Sequence, residues 1–164
     1  MRGAVLGCSG QSYLKMNYSI PDVSPKRTGG IIVLASINLV ALVVTIAFWG
    51  LVYFGQFVRK PGGLESLAER ANTAVTFGFM LGDVFYSVPL LLLAAIGLWR
   101  MRSWGWLAAQ MANILWIYSM TVILIRDFYS TWSPGGLLFI PFAIIAIGSI
   151  PYLWIHRRVF GIVN

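Results

Sequence analysis

Four long stretches of almost unbroken apolar residues alternate along this chain with short breaks rich in glycine, proline and charge. They cover residues 31–57, 73–99, 104–125 and 137–155. Each is close to the roughly 20 residues that a helix needs to cross about 30 Å of hydrocarbon. The breaks carry the chemistry that ends helices. Pro25-Lys26-Arg27 followed by Gly29-Gly30 precedes the first stretch, and Arg59-Lys60-Pro61-Gly62-Gly63 comes after it. Arg100 and Arg102 separate the second from the third, a connection so short that these two form a helical hairpin. Ser103 is read as the N-cap of the third. Arg126-Asp127, neighbours in sequence and so not facing each other on a helix, close it, with Pro134-Gly135-Gly136 before the fourth. Trp49, Tyr53 and Phe54 at one end, and Trp99, Trp104 and Trp106 at the other, form aromatic belts of the kind found at membrane interfaces.

The pattern predicts an all-α polytopic integral membrane protein, with four transmembrane helices in an up-down bundle over residues 31–158. Residues 1–30 form a cytoplasmic tail and 159–164 a short C-terminal one. The tail is expected to stay uncleaved, because the apolar run before Cys8 is too short for a signal peptide. Residues 64–72 have helical spacing and run into the second span, with Glu65 and Glu69 sharing a face towards water. Pro-Gly-Gly-Leu occurs at 61–64 and again at 134–137, which we read as shared turn chemistry.

Composition sharpens the class. Of 164 residues 59% are hydrophobic and only 10% charged, against about 25% charged in an ordinary soluble domain. The net charge of +7 suggests nucleic acid in a soluble protein; here the basic residues gather at span ends, so anionic headgroups are the expected partner and nucleic acid is not. Arg2, Lys15, Lys26, Arg27, Arg100, Arg102, Arg157 and Arg158 lie on one side, and Arg59, Lys60, Arg70 and Arg126 on the other. The excess places both termini in the cytoplasm. Arg100, Arg102, His156, Arg157 and Arg158 are the expected lipid-headgroup contacts. A single cysteine and a single histidine leave no internal disulfide and no Cys/His metal cluster, and no metal or cofactor is expected.

One carboxylate stands out. Asp83 lies three residues from the midpoint of 73–99, about 4.5 Å along a helix axis. An ionised Asp at mid-bilayer costs about 2.5–3.5 kcal/mol on insertion scales, so it is expected to be protonated or bound to something from outside the chain. Thr76, Asp83 and Ser87 make a polar stripe, Gly78 and Gly82 a small surface beside it, and Pro89 a kink just beyond. Counting from the hairpin turn sets Asp83 opposite Ser119, with Asn113 and Tyr118 as further donors and Asn38 and Thr45 of the first span as others. Asp83, Tyr86, Ser87, Asn113, Tyr118 and Ser119 are therefore the candidate ligand- or proton-binding residues.

No nucleophile–base set, paired histidine or phosphate loop is present, so no enzyme activity is expected. Short loops and four spans offer lateral surface. The expected function is a non-enzymatic accessory or structural subunit of a larger membrane complex, with other membrane subunits or further copies of itself as partners. The alternative is a small oligomeric transporter or ligand-binding membrane protein that uses Asp83.

Overall fold

The computed structural model describes residues 28–55, 66–129 and 134–162. Among these residues the chain is all helix, without a strand. Helix α1 is Gly29–Tyr53. Helix α2, Leu67–Gly82, continues through one π-helical turn, Asp83–Ser87, into α3, Val88–Trp99. Helix α4 is Ser103–Tyr129, α5 is Pro134–Ile155, and a 3-10 turn, Arg157–Phe160, comes last. Four runs, Gly29–Tyr53, Leu67–Trp99, Ser103–Tyr129 and Gly136–Ile155, are long and apolar enough to cross a membrane. The readings of the N-terminal tail, of Glu65 and of the Arg59–Gly63 break fall outside the described residues.

Several helix ends differ from the sequence reading, each for a local reason. Helix α1 stops at Tyr53, because Gly55 takes the left-handed conformation (φ 76°) and the Phe54 and Gly55 amides fold back onto the Gly50 and Val52 carbonyls. Helix α2 starts at Leu67 through a capping box. Ser66 Oγ accepts from the Glu69 amide, and Glu69 Oε2 accepts from the Ser66 amide at 2.8 Å. The cap position of α4 belongs to Arg102 rather than Ser103, since the Arg102 carbonyl takes the Gly105 and Trp106 amides. Helix α4 runs on to Tyr129. Arg126 and Asp127 do meet, against the expectation for sequence neighbours: Arg126 Nη2 lies 2.7 Å from Asp127 Oδ1, and Nε 3.0 Å. The guanidinium is long enough to turn back on the adjacent side chain, and the Asp127 side chain is fully buried. Helix α5 already begins at Pro134, a position where proline suits a first turn.

The α3–α4 connection is a Schellman turn. Met101 takes the left-handed conformation (φ 54°), its amide bonds the Leu98 carbonyl, and the Arg102 amide bonds Gly97. This brings Gly97 and Gly105 into backbone-to-backbone contact: a Cβ on Gly105 would lie 2.6 Å from Leu98 N and closer still to Gly97. Small residues flank the contact. Ala94, Ala108 and Ala109 are buried, and with Ile31, Leu34, Leu98, Leu153 and Phe160 they form the larger core cluster. Packing of this kind drives helix association where there is no hydrophobic effect between spans.

Helix α1 buries Leu34, Asn38, Ala41, Leu42, Thr45, Trp49 and Val52, a stripe at helical spacing that faces α3. At its start, Gly30 leaves room for the Tyr152 ring of α5, which a Cβ would strike. Trp106 Nε1 donates to the Leu153 carbonyl (2.8 Å), joining α4 to α5 at the same level. Helix α2 is the exception: none of its side chains is buried, and its chief neighbour is the π turn that continues it.

Candidate functional site

The Asp83 site begins with a break in backbone register. The Val88 amide reaches back five residues to the Asp83 carbonyl, and Pro89 has no amide proton. The Val84 carbonyl thus loses both the donor that an α-helix would bring it and the one that a π-helix would. A π turn of this type re-phases the helix beyond it and often marks a functional position. Here it lies where the chain passes from the unpacked α2 to the packed α3.

Both carboxylate oxygens of Asp83 are held. Ser87 Oγ donates to Oδ1 at 2.7 Å, and Trp49 Nε1 donates to Oδ2 at 2.8 Å. Ser87 and Trp49 are themselves buried, whereas Asp83 is partly exposed. An indole N–H can only donate, so Oδ2 is an acceptor whatever the state of the acid. The donors are thus on the site's own helix and on α1. Asn113, Tyr118 and Ser119 of α4, the donors expected from the hairpin count, make no hydrogen bond to it. Of the first-span options, Asn38 Nδ2 bonds the Leu34 carbonyl, and Thr45 Oγ1 is buried without a partner.

Trp49 is the residue that sequence reasoning missed. Its aromatic character and its place near a span end point to an interfacial belt, not to a site. The signal that could have found it is helical phase: Asn38, Thr45 and Trp49 are separated by seven and four residues, one face of α1, and all three are buried.

Asp83 also has a defined place along the packed helices. It lies 16 residues before Trp99, or about 24 Å along the axis from the α3–α4 turn. Asp83 is the midpoint of the Leu67–Trp99 run, but the half before it is α2, which buries no side chain, and its partner Trp49 lies in the last turns of α1. The site therefore lies towards the far end of the packed helices, opposite the turn.

Beside Asp83 a cleft of about 330 Å³ opens between α2 and α4. Gly78 and Gly82 form one wall, with nothing within 4 Å of where their side chains would begin. Val75, Phe79 and Leu115 supply apolar surface, and Tyr118 and Ser119 supply hydroxyls across from the carboxylate. The structure thus gathers Asp83, Tyr118 and Ser119 around one cleft, with Ser87 behind the acid. Tyr86 is exposed and does not line it. Asn113 is buried elsewhere, against a cavity of about 20 Å³ shared with Asn38 and Ser149. Thr76 turns its hydroxyl to the Asn72 carbonyl. Compared with protein-family models, with curated proteins and with solved structures, the chain matches none.

The basic residues form a second group at the α3–α4 turn and beyond α5. Arg100, Arg102 and Arg158 are exposed, and Arg157 lies over the Trp154 ring at 5.2 Å. His156 is half-buried: its ring stacks on Tyr152 (4.2 Å between centroids), and Nδ1 lies 2.8 Å from the Tyr152 carbonyl. Among the described residues no three His, Cys, Asp or Glu side chains come together as a metal site.

Proposed function

We propose that this chain is a small multi-pass integral membrane protein without enzymatic activity, acting as an accessory subunit of a larger membrane assembly. In this reading the helices form an up-and-down bundle with both termini in the cytoplasm. Arg100, Arg102, His156, Arg157 and Arg158 then lie at the cytoplasmic headgroups. The contacts of Gly30 with Tyr152, of Trp106 with Leu153 and of Gly97 with Gly105 support the alternation of direction.

The observation that carries the subunit reading is the surplus length of the second helical run. Leu67–Trp99 has 33 residues, about 48 Å of helix, against a hydrocarbon core of about 30 Å. The surplus, about 18 Å or about 12 residues, falls within α2, and α2 buries no side chain. Helices of this length draw most of their stability from packing, yet α2 exposes Leu67, Val75 and Leu81. A partner chain is the natural cover. Purification from native membranes in mild detergent should yield a stoichiometric partner. Phe77→Ala combined with Leu81→Ala, on residues that do not line the cleft, should release it. Recovery of a lone, monodisperse chain across several mild detergents would overturn the reading.

A further inference from the structure

We propose that the cleft between α2 and α4 is a binding site for a lipophilic ammonium, a protonated amine on a compact alkyl or aryl body. The proposal does not depend on the subunit reading, because the residues it uses face the cleft and not the far side of α2.

The carboxylate is fixed in place and still has capacity to accept. Trp49 and Ser87 each occupy one oxygen, and an ionised carboxylate has about four acceptor positions, so roughly two remain. Both present donors are neutral. None of the residues lining the cleft is basic, so the charge of an ionised Asp83 has no counterpart there. A cationic N–H donor would supply both the charge and the hydrogen bond.

The rest of the cleft selects the body that carries the charge. Val75, Phe79 and Leu115 are apolar, and the glycine wall lets a flat or extended chain lie close to the α2 backbone. Tyr118, an aromatic with a hydroxyl, is suited to contact a cation by either its ring face or its oxygen. The volume is at the lower end of the roughly 300–1,000 Å³ typical of small-molecule pockets, which indicates a small ligand. A divalent metal is poorly served, since it needs several oxygen ligands and only one carboxylate is present. A fatty acid or anionic headgroup would meet like charge.

The test is titration calorimetry on the full chain in zwitterionic-lipid nanodiscs, with empty discs subtracted. Octylamine, protonated at neutral pH, is compared with octanol, which has the same chain and no charge. Saturable 1:1 binding of octylamine is expected, and none of octanol. Asp83→Asn should weaken it about tenfold or more, the usual scale for losing a charge-assisted hydrogen bond. Gly78→Leu should abolish it by filling the cleft. That substitution meets open space, favours helix and leaves the Trp49 and Ser87 bonds untouched, so loss of binding in a folded variant reports the cleft itself. Equal binding of octanol, unchanged binding in both variants, or heats no larger than partitioning into empty discs would each overturn the proposal. So would loss of a co-purified partner in Asp83→Asn with no octylamine site in the wild-type chain, which would assign the carboxylate to a subunit contact. Isolation of a lone chain that still binds octylamine would overturn the subunit reading alone.

Discussion

Gly105→Ala adds a single methyl group where two helix backbones touch. The new Cβ would lie 2.6 Å from Leu98 N, and nearer still to the Gly97 Cα and carbonyl carbon. Those neighbours are main chain and have no rotamer to change. Relief requires α3 and α4 to part by roughly 1 Å, and a gap of 0.5–1 Å already forfeits about a quarter to a half of each dispersion contact along the seam. Overpacking of well-packed interiors costs about 1–3 kcal/mol, with a backbone clash at the upper end. Against this, alanine is the better helix former by about 0.8–1.0 kcal/mol. The net expectation is a loss of about 2 kcal/mol. Gly50→Ala is the control: nothing lies within 4 Å of its Cβ position, so it should be neutral or stabilising by up to about 1 kcal/mol from propensity alone. Reversible unfolding in mixed micelles, as sodium dodecyl sulfate is titrated in and helicity monitored, measures both. If Gly105→Ala proves as stable as Gly50→Ala, the close crossing of α3 and α4 is wrong.

Three further outcomes rest on particular residues. Trp49→Phe keeps the ring and removes the donor to Asp83 Oδ2, so it should cost about 1.5–3 kcal/mol if the acid is ionised; in a double-mutant cycle with Asp83→Asn the two losses should be clearly less than additive, and strict additivity would show that they do not interact. Ser66→Ala removes the α2 capping box and should cost about 0.5–2 kcal/mol. Because α2 is unpacked, the effect should appear as faster hydrogen exchange over its first turns, with the global unfolding midpoint nearly unmoved; a large midpoint shift would contradict the unpacked α2. For topology, Cys8, the single cysteine, should react with a membrane-impermeant maleimide only in inside-out vesicles, and labelling in right-side-out vesicles would reverse the orientation.

The pattern of apolar residues alone marks the four helical runs. Their lengths and apolar content are local properties, and so are the turn signals at Arg100–Arg102 and the helical continuity of residues 67–72 with the second span. It also isolated Asp83, because a lone carboxylate in an apolar stretch is visible without knowing its neighbours, and it named Ser87, because four residues on one helix is a short-range relation. What the acid meets depends on how the helices pack. Span partners depend on helix rotation and on relative depth, and a count from one hairpin turn fixes neither when a π turn re-phases the helix between turn and site. That count pointed to Ser119 as a donor; packing supplied Trp49 from a helix with a different axial offset, and set Ser119 and Tyr118 across an open cleft instead. In the same way the small surface of Gly78 and Gly82 was legible as a pattern, but not that it would face empty space while Gly97 and Gly105 made the close crossing. A glycine's absence of side chain is written in the sequence, whereas what approaches the space it leaves depends on all the other helices.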